Sequence, residues 1–284
     1  MAYAGPRETL KPSIARALHR VIEPVHAAVY FQPESKSSYE AIGLKGYWMG
    51  YFASRAGAMG PVPPEMVIAT FYNFAPRKVR RAIPDAWRFC SVDRVLETRL
   101  DVARIAMERL VADADVSEAA TLAETAARAA PAEGRALFAA HAALAWPDPP
   151  ILRLWHATTL LREHRGDGHN TALLAEGIDG LEAHLMHAAA GLIDPARQRD
   201  YRGWSEDEWD AAAERLRARG LLDAGGAFTE AGAALKQHVE DRTDSLASQP
   251  YEAIGEPGCE RLVELLAPFA GGIPYPNPIG LTPR

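Results

Sequence analysis

The chain has 284 residues, of which 48% are hydrophobic and 24% are charged, and its formal net charge is −6. The apolar fraction excludes a disordered chain, and the length allows two domains. The acidic balance argues against broad binding to nucleic acids or to anionic membranes, because phosphate contacts require local positive charge. A globular protein remains, in which any contact with an anion depends on a local group of basic residues.

The sequence contains no apolar run long enough to span a membrane, and charged residues interrupt its first twenty positions, unlike a secretory signal. The two cysteines, Cys90 and Cys259, lie far apart and indicate neither a disulfide framework nor a cysteine zinc site. We therefore expect a cytoplasmic protein that does not contact a membrane.

The N-terminal half of the sequence predicts helices. From Pro12 to Tyr30, apolar residues recur at three- and four-residue spacing, which indicates one amphipathic helix. Between Val111 and Ala145, 16 of 35 residues are alanine, which favours helix over strand. Pro131 and Gly134 divide this alanine-rich segment into two predicted helices.

Aromatic residues are concentrated between Tyr30 and Phe89, a segment that holds 12 of the chain's 23 aromatic side chains. A pocket lined by aromatic rings and a few polar groups is the usual form of a small-molecule site. The same pattern also fits an aromatic core without a ligand. If the segment forms a pocket, we predict that its aromatic ligand-binding residues are Tyr47, Trp48, Tyr51, Phe52 and Tyr72. A histidine of the first helix, His26, is predicted to join them.

The central part of the sequence predicts two helices with a polar turn between them. The proline-rich run WPDPP, residues 146–150, precedes a helix that is predicted to stop near Gly166 or Gly168. A further helix is predicted from Leu173 to Met186. The run REHRGDGH, residues 162–169, therefore ends in a predicted turn that exposes Asp167.

Three interpretations of this polar run remain open, and the first two are functional. In the first, Arg162, Arg165 and His169 bind an acidic ligand, because pairing of arginine with a carboxylate is strong and directional. In the second, His164, Asp167 and His169 perform acid–base catalysis, or hold a divalent metal ion together with a further histidine, His187.

The third interpretation is structural: the run is a charged helix end held by internal ion pairs. The sequence contains none of the HExxH, P-loop, G-x-S-x-G or GxGxxG motifs that would favour a named enzyme class. We therefore assign no metal ligands, and the sequence leaves the cofactor, if one exists, unidentified.

The segment from Gly203 to Ala247 gives the clearest local signals. Ser205 and Glu208 form an S-x-x-E capping box that opens a helix, and Gly220 suits the left-handed position just after its end. Two short apolar pairs separated by DAGG then predict a hairpin, and Thr229 begins another helix. Helix, two-stranded wing and helix follow one another in the order of a winged helix-turn-helix.

The run GWSEDEWDAAAERLRARGLLDAGGAFTEAG, residues 203–232, resembles the end of a MarR-type winged-helix domain, in which RLRARGLL precedes the wing and TEAG follows it. With its helical N-terminal half and the run LWHATTLLREHRGDGH, the chain is similar to an actinobacterial family described as helix-turn-helix or MarR-like. The resemblance implies a homodimeric regulator that binds DNA. The DNA-contacting candidates are then Arg215, Arg217 and Arg219.

The charge of this predicted recognition helix argues against DNA as a partner. Residues 204–220 carry five acids and three bases, and four of the acids lie at the N-terminal end, from which a recognition helix reads bases. Basic residues are concentrated instead between Arg77 and Arg99, where the net charge is +4. That segment suits either an anionic ligand or a solvated helix face paired with neighbouring acids.

We therefore predict an all-α protein with a helical N-terminal domain and a C-terminal winged-helix domain containing one small β-hairpin. The predicted divisions are an aromatic- and alanine-rich helical domain (1–150), central helices with the His/Arg cluster (151–200), a winged-helix domain (201–250), and a C-terminal helix with an extended Pro/Gly-rich tail (251–284). The predicted function is sensing of a small aromatic or acidic molecule by a homodimeric regulator. The alternative is an enzyme or cofactor-binding protein that reuses the winged-helix fold without binding DNA, with its chemistry at REHRGDGH.

Overall fold

Helices form most of the chain, which confirms the predicted all-α class. The computed structural model describes residues 10–271. Its α-helices, in chain order, are α1 (Pro12–Ala27), α2 (Pro33–Ala41), α3 (Gly46–Ala56), α4 (Pro64–Phe71), α5 (Pro76–Arg80), α6 (Ala86–Phe89), α7 (Val92–Val111), α8 (Ser117–Arg128), α9 (Ala136–Ala142), α10 (Pro150–Ala175), α11 (Gly180–Ala189), α12 (Pro195–Arg202), α13 (Glu206–Ala218), α14 (Glu230–Ser248) and α15 (Gly255–Leu266). Short 3₁₀ turns follow α1, α3, α14 and α15.

The central element of the fold is α10, a helix of 26 residues that packs against α1, α7, α8, α9 and α14. Buried side chains occur along most of its length, and they include charged residues such as Glu163 and Arg165. A helix that is covered on all sides belongs to the interior of the protein. The polar groups of α10 must therefore find partners inside the fold.

The turn predicted at Gly166 and Gly168 is wrong, because α10 continues through both glycines. Glycine costs about 1 kcal/mol relative to alanine inside a helix. At position 168 the neighbours explain this choice, since an added Cβ atom would lie 2.7 Å from Nη1 of Arg135 and 3.3 Å from Cβ of Leu246. Close packing, and not a change of chain direction, accounts for this glycine.

The helix predicted from Leu173 to Met186 is also corrected, since the structure divides this segment between α10 and α11. Gly177 adopts a left-handed conformation between the two helices, with φ of 62°. Asp179 and Glu182 then form a capping box that begins α11. The D-x-x-E pattern at these positions is the sequence signal for the division.

Predictions for several other helix ends are confirmed. The helix predicted from Pro12 corresponds to α1 and the 3₁₀ turn after it, and the alanine-rich segment forms α8 and α9. The Ser205 side chain accepts a hydrogen bond from the Glu208 amide, as expected for a capping box. Gly220 is left-handed, with φ of 69°, and Thr229 caps α14. These local signals depend on neighbouring residues only, which explains their success.

The predicted hairpin is reduced to one antiparallel bridge, between Leu222 and Phe228, within residues 10–271. Inside this bridge the Asp223 amide donates to the Ala227 carbonyl at 2.9 Å. Gly232 of α14 packs directly behind the turn, because an added Cβ atom would lie 1.9 Å from the Leu221 carbonyl oxygen. The connection is thus a compact turn, and the winged-helix type stays a prediction.

Two apolar clusters hold the helices together. The larger contains residues from both ends of the described chain, from Ala15 in α1 to Leu266 in α15. The smaller is formed mainly by α11, α13 and the end of α10, with Leu216 fully buried in it. Both α10 and α14 contribute to the two clusters. The predicted domain boundaries stay a prediction.

Two expectations concern the limits of the chain. The predicted C-terminal helix is present as α15, whereas most of the predicted Pro/Gly-rich tail lies outside the described residues. None of the helices between residues 10 and 271 is both long and apolar enough to cross a membrane.

Candidate functional site

We refer to helices α1–α10 together with α14 and α15 as the helical body. A cavity of about 130 Å³ lies where this body meets α12. Its walls come from α1, α3, the end of α4, α10 and the last residue of α12. Polar and charged side chains dominate these walls. They include Glu23, His26, Tyr51, Arg55, Asn73, Arg162, Glu163, Asp167, His169 and Arg202.

Two arginines and two glutamates form a continuous ion-pair network on one wall of this cavity. Arg55 donates to both carboxylate oxygens of Glu163, each at 2.7 Å. Arg162 donates to Glu163 at 2.9 Å and to Glu23 at 3.1 Å. Burial alone would raise the pKa of Glu163, but Arg55 and Arg162 outweigh it and hold that pKa well below its usual range. The network is therefore fully ionised at neutral pH.

A third arginine, Arg202, reaches the cavity from the end of α12. Its side chain hydrogen-bonds Tyr51, whose hydroxyl also accepts a hydrogen bond from Nη1 of Arg55 at 3.3 Å. Burial would raise the pKa of Tyr51, but the nearby guanidinium groups of Arg55, Arg202 and Arg162 reverse this effect and lower it. The cavity thus stabilises negative charge on the oxygen of its own tyrosine.

The two histidines of the cavity are neutral at physiological pH, because burial lowers the pKa of both His26 and His169 to about 3. Nδ1 of His26 lies 3.0 Å from the Thr159 hydroxyl, and Nδ1 of His169 lies 2.9 Å from the Thr243 hydroxyl. These contacts fix the ring orientations. The histidines therefore contribute oriented dipoles, whereas the arginines carry the positive charge.

Asp167 connects α10 to the first turn of α9. One of its carboxylate oxygens accepts hydrogen bonds from the amides of Leu137 and Phe138, both at 3.0 Å. Burial nevertheless raises the pKa of Asp167 to about 6, since it outweighs the stabilisation from these amides. The side chain predicted to be exposed in a turn instead holds two helices together inside the fold.

The structure places four of the predicted ligand-binding residues at the cavity: Arg162, His169, Tyr51 and His26. Arg165 points away from it, because its Nη1 lies 2.7 Å from Asp244 on α14. Of the three residues predicted to bind an acidic ligand in the run REHRGDGH, Arg162 and His169 therefore lie at the cavity, whereas Arg165 forms a contact between helices.

The other predicted aromatic ligand residues, namely Tyr47, Trp48, Phe52 and Tyr72, belong to the apolar clusters or pack against them. Trp48 and Phe52 pack against Phe74, with ring centroids 5.8 Å and 4.9 Å from it. The Tyr47 hydroxyl donates to the Tyr30 carbonyl at 3.2 Å, and the Tyr72 hydroxyl donates to the Ile178 carbonyl at 2.6 Å. None of these four rings lines the cavity.

His164 lies away from the cavity, so the structure does not bring the three catalytic candidates His164, Asp167 and His169 together at one point. The His164 ring packs edge-on against Phe138, with centroids 5.1 Å apart. Its Nε2 atom is buried and makes no hydrogen bond. Burial lowers the pKa of His164 to about 3.

Arg55, Asn73 and Arg202 were missed by the sequence reasoning, although all three line the cavity. For Arg55 a signal existed, because it is the sole charged residue of the helix GYWMGYFASRA, and a buried arginine requires a partner. No local pattern marks Asn73 or Arg202. Their positions depend on how α12 packs against the body.

The predicted recognition helix corresponds to α13, which follows α12 after a turn at the left-handed Gly203. Each of the three predicted DNA-contacting residues has partners within the chain. Arg215 binds Glu182 at 2.9 Å and Asp179 at 2.6 Å. Arg217 binds Glu214, and Arg219 donates to two carbonyl groups in the connection between α10 and α11.

The basic segment from Arg77 to Arg99 pairs largely with acids of the same chain. Arg77 forms two hydrogen bonds with Glu208, at 2.7 and 2.6 Å, and so attaches the body to the beginning of α13. Arg94 binds Glu97, and Arg99 is buried with its guanidinium 5.0 Å from the centre of the Trp155 ring. This arrangement fits the expectation of a paired surface better than that of a free basic patch.

Comparison with known proteins identifies one family. The chain matches a family described as "Helix-turn-helix family" over residues 15–274. Comparison with curated proteins and with solved structures gave no match. The helix-turn-helix part of the predicted resemblance is confirmed, whereas the MarR type and the actinobacterial origin stay predictions. The matched segment includes the cavity as well as α12 and α13, so the protein belongs to a helix-turn-helix family.

Proposed function

We propose that this protein is a helix-turn-helix regulator that senses a small acid in the cavity between the helical body and α12. Membership of a helix-turn-helix family suggests DNA binding and supports the regulatory part. The observation that carries the ligand part is the presence of three arginines at the cavity: Arg55 and Arg162 pair with Glu163 and Glu23, and Arg202 reaches the Tyr51 hydroxyl from α12. Guanidinium groups in such a position favour an anionic group, because they pair with it through several directed hydrogen bonds.

The size and lining of the cavity favour an acidic molecule over a large aromatic one. Its volume of about 130 Å³ is well below the roughly 300–1,000 Å³ of sites for drug-sized ligands. The aromatic rings of Trp48 and Phe52 are already engaged with Phe74. We therefore propose a carboxylate or phosphate ester of a few non-hydrogen atoms as the ligand.

We assign the helix-turn-helix unit to α12 and α13, which a turn at Gly203 joins. This unit touches the cavity wall at two places, which provides a route from ligand to DNA. Arg202 ends α12 and lines the cavity itself. The carbonyl oxygen of Asn73, another lining residue, accepts hydrogen bonds from Trp204 at 3.1 Å and from His184 at 3.0 Å. A ligand that engages Arg202 in only one arrangement of α12 shifts the population toward that arrangement.

The proposal includes a cytoplasmic homodimer whose two α13 helices meet successive half-sites, as in helix-turn-helix regulators. Phosphates would have to replace the internal partners of Arg215, Arg217 and Arg219. The acids at the start of α13 oppose the phosphate charge, so we expect modest affinity with strong salt dependence. Binding of the small acid then serves to change this affinity.

The ligand part is tested by titrating the full chain with a panel of small mono- and dicarboxylates and phosphate esters, using thermal unfolding and calorimetry. We expect at least one compound to bind and to lose affinity 10-fold or more in Arg202→Leu. Arg94→Ala, which removes an exposed pair with Glu97, is the matched control and should bind normally. If no compound of either class binds, or if Arg202→Leu binds equally well, the ligand proposal is wrong.

The regulatory part is tested by fluorescence anisotropy with DNA from upstream of the protein's own gene, at 50 and 200 mM salt, with and without the bound compound. We expect binding that weakens with salt and changes with the compound. Absence of salt-dependent binding in both conditions contradicts a DNA-binding regulator. Consumption of the compound, followed by NMR, would favour the enzyme alternative.

A further inference from the structure

A second polar site lies at the junction of α10, α11 and α14. One nitrogen or oxygen atom from each of His169, His187 and Glu240 lies within 4.8 Å of the corresponding atoms of the other two residues. All three residues are half-buried, and each comes from a different helix. We propose that this trio binds a first-row divalent metal ion such as Zn²⁺.

The donor set suits such an ion. Imidazole nitrogen is a ligand for Zn²⁺, Fe²⁺, Co²⁺ and Ni²⁺, and a carboxylate oxygen completes the two-histidine, one-carboxylate arrangement. Three protein ligands leave at least one coordination position for water or for another molecule. Mg²⁺ and Ca²⁺ fit less well, because these ions prefer oxygen ligands.

Hydrogen bonds orient both imidazole rings in the way expected for metal ligands. The Thr243 hydroxyl donates to the Val239 carbonyl at 2.7 Å, so its lone pair accepts the Nδ1 proton of His169 at 2.9 Å. Nδ1 of His187 lies 2.7 Å from the Ala183 carbonyl, which can only accept. In both rings the proton therefore resides on Nδ1 and the lone pair on Nε2.

The third ligand, Glu240, already faces positive charge. The Lys236 ammonium group contacts one of its carboxylate oxygens, and Nη2 of Arg165 lies 3.7 Å from the other. Arg165 has a closer partner in Asp244, at 2.7 Å. Lys236 thus competes directly with a metal ion for Glu240, and it withdraws when the ion binds.

A metal ion at this junction would connect three helices. It would tie α11, which packs against α13, to α10 and α14 of the body. A ligand that binds only the folded chain stabilises it in proportion to the logarithm of the ligand concentration. Metal binding should therefore raise the unfolding temperature without any added acid, although His169 also lines the cavity.

The test is calorimetric titration of the full chain with Zn²⁺ and absorption spectroscopy with Co²⁺. We expect one Zn²⁺ per chain and visible Co²⁺ bands of a four- or five-coordinate site. His169→Ala, His187→Ala and Glu240→Gln should each weaken binding at least 10-fold. Far-UV circular dichroism establishes that each variant is folded before the comparison is made.

Three further variants separate this site from adventitious surface binding. His238→Ala removes an exposed histidine that pairs with Glu176, and it should leave affinity unchanged. Lys236→Ala should strengthen binding, because it removes the competing cation. Thr243→Val should weaken binding about 10- to 100-fold, as loss of a partner that orients a metal-binding histidine does.

Two results would overturn the proposal. The first is the absence of saturable Zn²⁺ binding at concentrations up to about 100 µM, because a site weaker than this would not be specific. The second is binding that His238→Ala abolishes while folded His169→Ala and Glu240→Gln retain it.

Discussion

Arg55 of α3 and Glu163 of α10 face each other through two hydrogen bonds of 2.7 Å, and both side chains are almost fully buried. Removing one member of a buried pair leaves an uncompensated charge and costs about 3–5 kcal/mol. Glu163→Gln should lower the free energy of unfolding more than Arg55→Met does, because Glu163 retains Arg162 as a partner when Arg55 is lost. Urea unfolding at pH 7 measures both changes.

The control for this pair is Arg94→Ala, since Arg94 and Glu97 are both exposed and sit one helical turn apart. Exposed pairs contribute little to stability, so the midpoint of urea unfolding should not move measurably. A Glu163→Gln protein as stable as the wild type would show that the network does not hold α3 against α10.

Gly180 at the start of α11 should be intolerant of any side chain. An added Cβ atom would lie 2.1 Å from the Tyr72 carbonyl oxygen, a backbone atom that cannot move aside alone. Gly180→Ala should therefore destabilise the protein by about 1–3 kcal/mol despite the better helix propensity of alanine. The matched control is Gly166→Ala in α10, where the nearest atom would be 3.5 Å away and stability should rise by up to about 1 kcal/mol. Equal effects in thermal unfolding would contradict this reasoning.

His164 should make the protein sensitive to acid. Burial lowers its pKa to about 3, whereas a histidine in an unfolded chain has a pKa near 6.5. Above pH 6.5, His164 is neutral in both the folded and the unfolded chain, and the free energy of unfolding does not depend on its titration. As pH falls from 6.5 toward 3, only the unfolded chain takes up the proton, so the free energy of unfolding decreases. His164→Gln should flatten the fall of unfolding free energy between pH 6.5 and 4, by up to about 1.4 kcal/mol per pH unit.

The measurement for His164 is urea unfolding of both proteins at several pH values in that window. Circular dichroism at pH 7.5 serves as the control for correct folding of His164→Gln. Other buried histidines, including His26 and His141, have depressed pKa values and keep both proteins acid-sensitive. Identical slopes for the two proteins would count against a neutral, buried His164.

Arg215 and Arg217 should have separable roles. Arg215 binds both residues of the α11 capping box, so Arg215→Ala should lower stability by about 1 kcal/mol or less, as is usual for half-exposed pairs. Arg217 pairs with exposed Glu214 and can exchange it for a phosphate. Arg217→Ala should therefore reduce the slope of log affinity for DNA against log salt by about 1, with little effect on stability. If only Arg215→Ala changed that slope, the roles assigned here to the two arginines would be wrong.

The helix ends show how much of the fold could be predicted from the sequence. Ser205, Gly220 and Thr229 act through bonds to residues two to four positions away or through their own φ, so pattern reasoning located these ends correctly. At Gly168 the sequence predicts a turn, because glycine is a poor helix former. The structure retains it in α10 since Arg135 and Leu246 approach too closely for a larger residue, and that contact is not readable in sequence.

The cavity was predictable only in part, for the same physical reason. Arg162 and His169 belong to a dense polar run, whose composition alone indicates a candidate site. Arg202 stands 40 residues from Arg162 in sequence and meets Tyr51 only after α12 packs against the body. Tyr47 and Phe52 are of the residue types that line ligand sites, yet Phe52 lies in the larger apolar cluster and Tyr47 packs against it half-buried. Residue type alone does not reveal whether a ring faces a cavity or its neighbours.

The continuity of α10 has a consequence for how the protein can be divided. At 26 residues it extends about 39 Å, with Leu154 and Leu160 in the larger apolar cluster and Ala172 and Leu173 in the smaller. A fragment that begins after α10 would lose part of the smaller core and expose the rest of it to water. The parts of the chain before and after α10 therefore share their packing through this helix, and the whole described chain should unfold in one cooperative transition.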